Sequence, residues 1–251
     1  MKADKIFKIL CNMAPLNLAL DFDNSGFLLG NKKSDVKKAV VCLDVTGNVI
    51  EFAENHGANL IISHHPIIFN PVKSITNENN NRVYKCLSKG ISVISMHTNM
   101  DSAENGVNDS LAKALCLKNI TSVEDADGFS FRMGKLKEPM SAEGLAKYVK
   151  SKLGGVIRFV GDDKMISTVA VCGGSGGEYW QLAKEKKAGA LITADVKHNI
   201  FIEAAEVGFA LLDAGHFNTE NVVVKNICEY LSNEISGVDF FEYDLKEIKT
   251  V

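Results

Sequence analysis

Three apolar segments in the first half of the chain recur in the same order in the second. Val40-Val41-Cys42-Leu43 matches Val169-Ala170-Val171-Cys172, and Ala58-Asn59-Leu60-Ile61-Ile62 matches Gly189-Ala190-Leu191-Ile192-Thr193. Gly90-Ile91-Ser92-Val93-Ile94 matches Gly208-Phe209-Ala210-Leu211-Leu212. Each is a short run suited to a buried strand, and helical patterns stand between them, over 49–56 and 82–89 in the first half and 178–187 and 201–207 in the second. One such match falls within chance, because all βαβ units share a composition; three in the same order favour two related halves. The alternation implies βαβ units and a largely parallel sheet.

The expected fold class is therefore α/β, with a first half over 1–118 and a second over 119–221. The stretch 119–161 interrupts the repeat with a polar segment, a strand over Phe129–Met133, and a helix whose start carries a partial capping signal in Ser141 and Glu143. Residues 222–251 read as a helix over 222–232 and a closing strand over 238–243 that pack back on the first half. At the other end, Ile6, Phe7, Leu10 and Met13 fall on one face of a helix stopped near Pro15, which fits a signal peptide poorly.

Composition narrows the classes of function. The 251-residue chain carries a net charge of -3 and three arginines (Arg82, Arg132, Arg158), so no basic face announces itself and nucleic-acid binding is disfavoured without being excluded. Six cysteines lie scattered with no C-x-x-C pair, which suits a reduced, cytoplasmic protein. No stretch approaches the roughly 20 apolar residues of a membrane span.

Function concentrates where the repeated strands end. Ile61-Ile62-Ser63 runs into His64-His65-Pro66, Val93-Ile94-Ser95-Met96 into His97 and then Asp101, and Leu211-Leu212-Asp213 into His216 and Glu220. In open α/β sheets the loops beyond the carboxyl ends of strands collect functional groups. Imidazoles and carboxylates at a core edge need a partner, and a metal is the simplest one. Adjacent histidines at a strand end point to opposite sides and Pro66 keeps His65 extended, so two neighbouring ions would use one each. His216 and Glu220 share a face if one helical turn follows the strand.

Five ligands (His64, His65, Asp101, His216, Glu220) cannot saturate two divalent ions, so positions stay open for water or substrate, as in a catalytic site. Two carboxylates against two divalent ions leave about two positive charges, which attract an anionic substrate such as a nucleotide. A bridging hydroxide is the natural nucleophile, and His97 is the candidate general acid/base. Singly, each residue has a plainer reading: a capped surface histidine pair, Asp101 as the N-cap of a helix over 102–115, Glu220 as a first-turn acid. Imidazole with carboxylate does not distinguish zinc, iron, manganese and nickel.

Two further motifs stay open. Gly173-Gly174-Ser175-Gly176-Gly177 follows a strand and is either an anion cradle or a tight strand-to-helix turn; it lacks the ending of a Walker loop and has Tyr179 where a dinucleotide fingerprint needs glycine. Thr193, Asp195 and His198 end the strand that the repeat pairs with His64, and either support the site or cap a helix.

The segments Ile62-Ser63-His64-His65-Pro66, His97-Thr98-Asn99-Met100-Asp101 and Asp213 to Glu220 resemble the signatures of the NIF three-like family, the GTP cyclohydrolase I type 2 homologues. Asp23-Asn24-Ser25-Gly26, Leu43-Asp44-Val45-Thr46 and Val171 to Gly177 extend the resemblance over essentially the whole chain. It implies two interlocked, similar α/β domains with a metal site in the cleft between them, assembled as a toroidal homohexamer. It also implies one ion on His64 and Asp101, a second on His65 and His216, and Glu220 bridging. Phe22 stands where many members have tryptophan, and the large inserted domain of longer members is absent. The expected function is a dinuclear metal-dependent hydrolase of a nucleotide or another phosphorylated small molecule. The alternative is a non-catalytic metal-binding ring that regulates, or that threads single-stranded nucleic acid.

Overall fold

The computed structural model describes residues 1–78, 81–244 and 248. Its chain falls into two compact units, one made of Met1–Gly106 and the described residues of 224–244, the other of Val107–Val223.

The first unit contains α1 (Ala3–Met13), β1 (Gly26–Leu29), β2 (Lys38–Cys42), α2 (Gly47–His56), β3 (Leu60–Ser63), α3 (Arg82–Ser88), β4 (Ser92–Ser95) and α4 (Thr98–Ser102). Its five-stranded sheet has the order β1-β4-β3-β2-β11, where β11 is Asp239–Tyr243. Neighbours among β4, β3, β2 and β11 are parallel, and β1 closes one edge antiparallel to β4. Every residue of β3 and β4 is buried, which is why these strands read as unbroken apolar runs and do not alternate. Helix α2 buries Val49, Ile50 and Ala53. Thr46 caps it by accepting from the Val49 N–H, and Gly57 ends it in the left-handed region at φ 67°.

The second unit contains α5 (Val107–Ala114), β5 (Lys118–Glu124), β6 (Ser130–Met140), α6 (Ala142–Leu153), β7 (Arg158–Val160), β8 (Ile166–Val171), α7 (Trp180–Glu185), β9 (Ala190–Thr193), α8 (His198–Glu206), β10 (Ala210–Asp213) and α9 (His216–Glu220). Helix α10 (Val222–Glu234) follows α9. The six strands run β5-β6-β8-β9-β10-β7. Leu145 and Val149 of α6 pack with Val169, Ile192 and Leu212 in the core, and Ser141 caps α6 by accepting from the Gly144 N–H.

The expectation of a largely parallel sheet holds from β4 to β11 in the first unit and at the centre of the second, and fails at β1 and at both edges of the second. Strands β8, β9 and β10 are parallel, whereas β5-β6, β6-β8 and β10-β7 pair antiparallel. The polar segment after residue 118 is itself a strand: β5 buries only Val123, so it carries almost no apolar signal. The helix expected over 102–115 is two helices, broken between Ser102 and Val107, where Asn105 adopts φ 60° and a side chain on Gly106 would overlap the Met100 carbonyl. Asp101 consequently lies within α4 and is not a helix cap; His97 occupies the cap position. Among the described residues, no helix is long and apolar enough to cross a membrane.

Candidate metal centre

In the first unit the parallel strands β2, β3 and β4 deliver their carboxyl ends to one edge, and the backbone continues the pairing just past them. The His64 N–H donates to the Cys42 carbonyl at 3.1 Å and the His65 N–H to the Leu43 carbonyl at 2.9 Å. The neighbouring strand ends also supply the imidazole acceptors. Nδ1 of the fully buried His64 lies 2.9 Å from the Met96 carbonyl oxygen beyond β4, and Nδ1 of His65 lies 2.8 Å from Asp44 Oδ1 beyond β2. A carbonyl or carboxylate oxygen only accepts, so each Nδ1 carries the hydrogen and each Nε2 presents a lone pair.

His97 repeats the arrangement. Its Nδ1 lies 2.7 Å from Asp23 Oδ1, and its N–H donates to Ser25 Oγ at 3.0 Å. Asp23 Oδ2 also accepts from the Thr98 N–H at 3.1 Å and the Thr98 hydroxyl at 2.7 Å. Burial alone would raise the Asp23 pKa, but the hydrogen bonds from His97, Ser25 and Thr98 hold it well below the ordinary carboxylate range.

The strand ends correct one expectation. His64 and His65 do not diverge: their ring centroids are 5.0 Å apart, and ligand atoms of His64, His65 and His97 lie within 4.8 Å of one another. The strict alternation of a strand ends at Ser63, so the pair sits in the turn beyond it and both rings can face one point. Asp101, buried in α4, brings Oδ1 to 3.6 Å from His64 Nε2.

In the second unit β10 ends at Asp213, Gly215 turns the chain at φ 82°, and α9 begins at His216. One helical turn then sets His216 Nε2 2.9 Å from Glu220 Oε2. His216 Nδ1 is held 2.6 Å from Asp195 Oδ2, so Nε2 and the carboxylate oxygen both present lone pairs. Two such atoms repel at this distance unless a cation or a proton lies between them. Asp195 does this from φ 51°, an uncommon conformation for a non-glycine residue. It supports the imidazole and caps no helix, since α8 has Lys197 at its cap position. Thr193, the last residue of β9, is buried and hydrogen-bonds Gly174 and Gly176, while His198 opens α8.

The glycine loop after β8 resolves as a packing device. The Gly173 N–H donates to Asn108 Oδ1 at 2.7 Å, Gly174 N–H to Thr219 Oγ1 at 3.1 Å and Gly176 N–H to Thr193 Oγ1 at 2.9 Å. Amides committed to side chains of their own unit cannot cradle a phosphate. The loop instead admits Glu220, which is nearly buried: a Cβ on Gly174, at φ 61°, would overlap Glu220 Oε1, and one on Gly173 would crowd Glu220 Cγ at 3.3 Å.

Each unit thus offers at least one anchored imidazole beside a buried carboxylate, a donor set suited to zinc, iron, manganese or nickel. Sequence reasoning had no role for Asp23 or Asp44. They were marked only as members of two segments of the family resemblance, and nothing in the sequence signals the contact between Asp23 and His97, 74 positions apart.

Comparisons with known proteins follow this geometry. The family model of Duf34/NIF3 (NGG1p interacting factor 3) matches residues 1–248. A Clostridium perfringens protein named GTP cyclohydrolase 1 type 2 homolog is 32% identical over 249 residues, covering 96% of this chain and 95% of its own. A Helicobacter pylori protein named GTP cyclohydrolase 1 type 2 is 32% identical over 253 residues, covering 97% and 98%. Among solved structures, Staphylococcus aureus hypothetical protein SA1388 superposes with a TM-score of 0.92 at 27% identity, covering 100% of this chain and 99% of that one.

Proposed function

The chain belongs to the Duf34/NIF3 family, and from that premise we propose that it is a divalent-metal-dependent hydrolase of a nucleotide or another phosphorylated small molecule. GTP is the first substrate to try, because relatives carry the name GTP cyclohydrolase 1 type 2. The observation that carries the reading is the shared anchoring of His64, His65, His97 and His216: each fixes Nδ1 on an acceptor and leaves Nε2 as the lone-pair atom.

In this proposal His64, His65, Asp101, His216 and Glu220 would supply the ligands that hold the divalent ions. When bound, such ions acidify water and polarise a phosphoryl or ring carbon-nitrogen group. The protein's own residues do the remaining work. Asp44 and Asp195 fix the tautomers of His65 and His216, and the glycine loop seats Glu220. Asp23, held as a carboxylate, orients His97, whose Nε2 takes and returns the proton as general base and acid. Six copies in a ring complete the proposal; light scattering should return six times the 27.3 kDa chain.

Purification without added metal, elemental analysis and a nucleotide-hydrolysis screen test the reading together. Two divalent ions per chain and turnover lost in Glu220→Gln and His65→Ala, with melting curves intact, are expected. Undiminished turnover after metal removal would sink it. A large fall in melting temperature and ring mass on metal removal, with no hydrolysis of any nucleotide, would favour a structural metal in a regulatory ring.

A further inference from the structure

Two aromatic side chains stand in solvent beside the histidines of the first unit. Phe22 is 65% exposed and Phe69 48% exposed, although they lie on loops 47 positions apart in sequence. Their ring centroids are 6.4 Å apart with planes inclined at 59°, and Phe69 meets the His97 ring edge-on at 6.2 Å and 82°. Exposed aromatic rings that touch each other and border a donor cluster mark a contact surface, since they add nothing to the core.

The pair is also held in place. Asn24 Nδ2 donates to the Ile68 carbonyl at 2.6 Å, which staples the loop after Phe22 to the residue before Phe69. The Asn24 N–H donates to Asp23 Oδ1 at 2.7 Å, and that oxygen also accepts from His97 Nδ1. One carboxylate therefore fixes the imidazole and the loop that carries Phe22. Preorganisation of this kind lowers the ordering cost of binding.

We infer that Phe22 and Phe69 form a stacking platform for the planar heteroaromatic ring of a substrate whose reacting part lies at His64, His65 and His97. The inclined planes take such a ring face-on against one phenyl and edge-on against the other, both favourable arrangements for aromatic pairs. Size fits the assignment: Phe69 touches His97, and the His97 ligand atom lies within 4.8 Å of those of His64 and His65, so a ring on the platform is about one ring-width from the donors. The inference deepens the hydrolase reading by naming the part of the substrate that this face grips. Its binding component stands even if that reading fails.

The test uses the whole protein and 2-aminopurine riboside, a nucleoside without phosphate whose fluorescence is quenched by stacking. Quenching is expected with metal-stripped wild type, and Phe22→Ala/Phe69→Ala should weaken affinity by about tenfold or more, the size of one lost base-aromatic stack. Phe22→Leu/Phe69→Leu, which keeps apolar bulk and loses the rings, should fall nearly as far. Inorganic triphosphate should bind the metal-loaded wild type and both variants equally. An unquenched probe, equal probe affinity in all three proteins, or equal loss of triphosphate and probe would overturn the platform. So would a change of mass in either variant, which would make the pair a contact between copies of the chain. Metal content and turnover, measured separately, decide the hydrolase reading.

Discussion

The two units present similar donors on unequal foundations. In the first, His64 is fully buried and leans on a backbone carbonyl, an acceptor that cannot ionise or swing away. In the second, the His216 side chain is 36% exposed and leans on the side chain of Asp195, itself 56% exposed and reached only through a left-handed backbone. The carboxylates reverse this order of security: Glu220 is wedged beside two glycines, whereas Asp101 rides on a five-residue helix. Each donor pair thus combines a rigid member with one that depends on neighbours, and substitutions at those neighbours can tell the two apart.

The largest expected effect concerns His97, which is anchored through Nδ1 on a carboxylate just as His65 is. As the proton carrier, it can be removed without loss of metal: His97→Ala should keep two ions per chain by elemental analysis and lose about 10²- to 10⁴-fold in turnover. Loss of an ion along with turnover would make it a third imidazole ligand of the first unit.

Next in size is Gly174→Ala. A residue with a side chain there carries about 1–3 kcal/mol of backbone strain and pushes against Glu220 Oε1. Gly57→Ala is the internal control, since Gly57 has φ 67° and nothing within 4 Å of a built Cβ. Both should lower the melting temperature, but only Gly174→Ala should lower metal content. Equal metal content in the two variants would mean that the loop does not seat Glu220.

A smaller loss is expected at the imidazole supports. Asp195→Asn and Asp44→Asn should each weaken metal affinity by about 10- to 100-fold, read by competition with a chelator. Asp195→Asn should be the more damaging, because His216 is the sole imidazole that the second unit contributes to the proposed ligand set. Equal losses would remove the distinction between the foundations.

The sequence displays donors better than it displays supports. A metal ligand at the end of an apolar run is conspicuous because polarity changes abruptly at one position, as at His64 or His216. A support such as Asp23 or Asp195 is one polar residue in a polar loop, and its meaning arises only when distant segments meet. The same physics governs the sheets. Buried central strands advertise themselves through continuous apolar runs, whereas β5, with one buried residue of seven, and the three-residue β7 are held by neighbours that the local pattern does not reveal. The glycine loop was legible as a tight turn or an anion cradle. What separates these is where its amides point, and that depends on Asn108, Thr193 and Thr219.

The smallest expected effect isolates the carboxylate foundation of the first unit by its proton. Asp23 has a folded-state pKa held well below its ordinary value of about 3.9. A depressed carboxylate stabilises the fold fully above the unfolded value, and the contribution is lost as pH falls through the folded value. The difference in melting temperature between wild type and Asp23→Asn should therefore be flat above about pH 5 and shrink steadily below about pH 4. The carbonyl that supports His64 cannot ionise, so this slope belongs to the His97 support. A difference that stays constant down to pH 2 would mean that the Asp23 charge contributes nothing to the fold, leaving shape alone to hold the loop that carries Phe22 and the turn that carries His97.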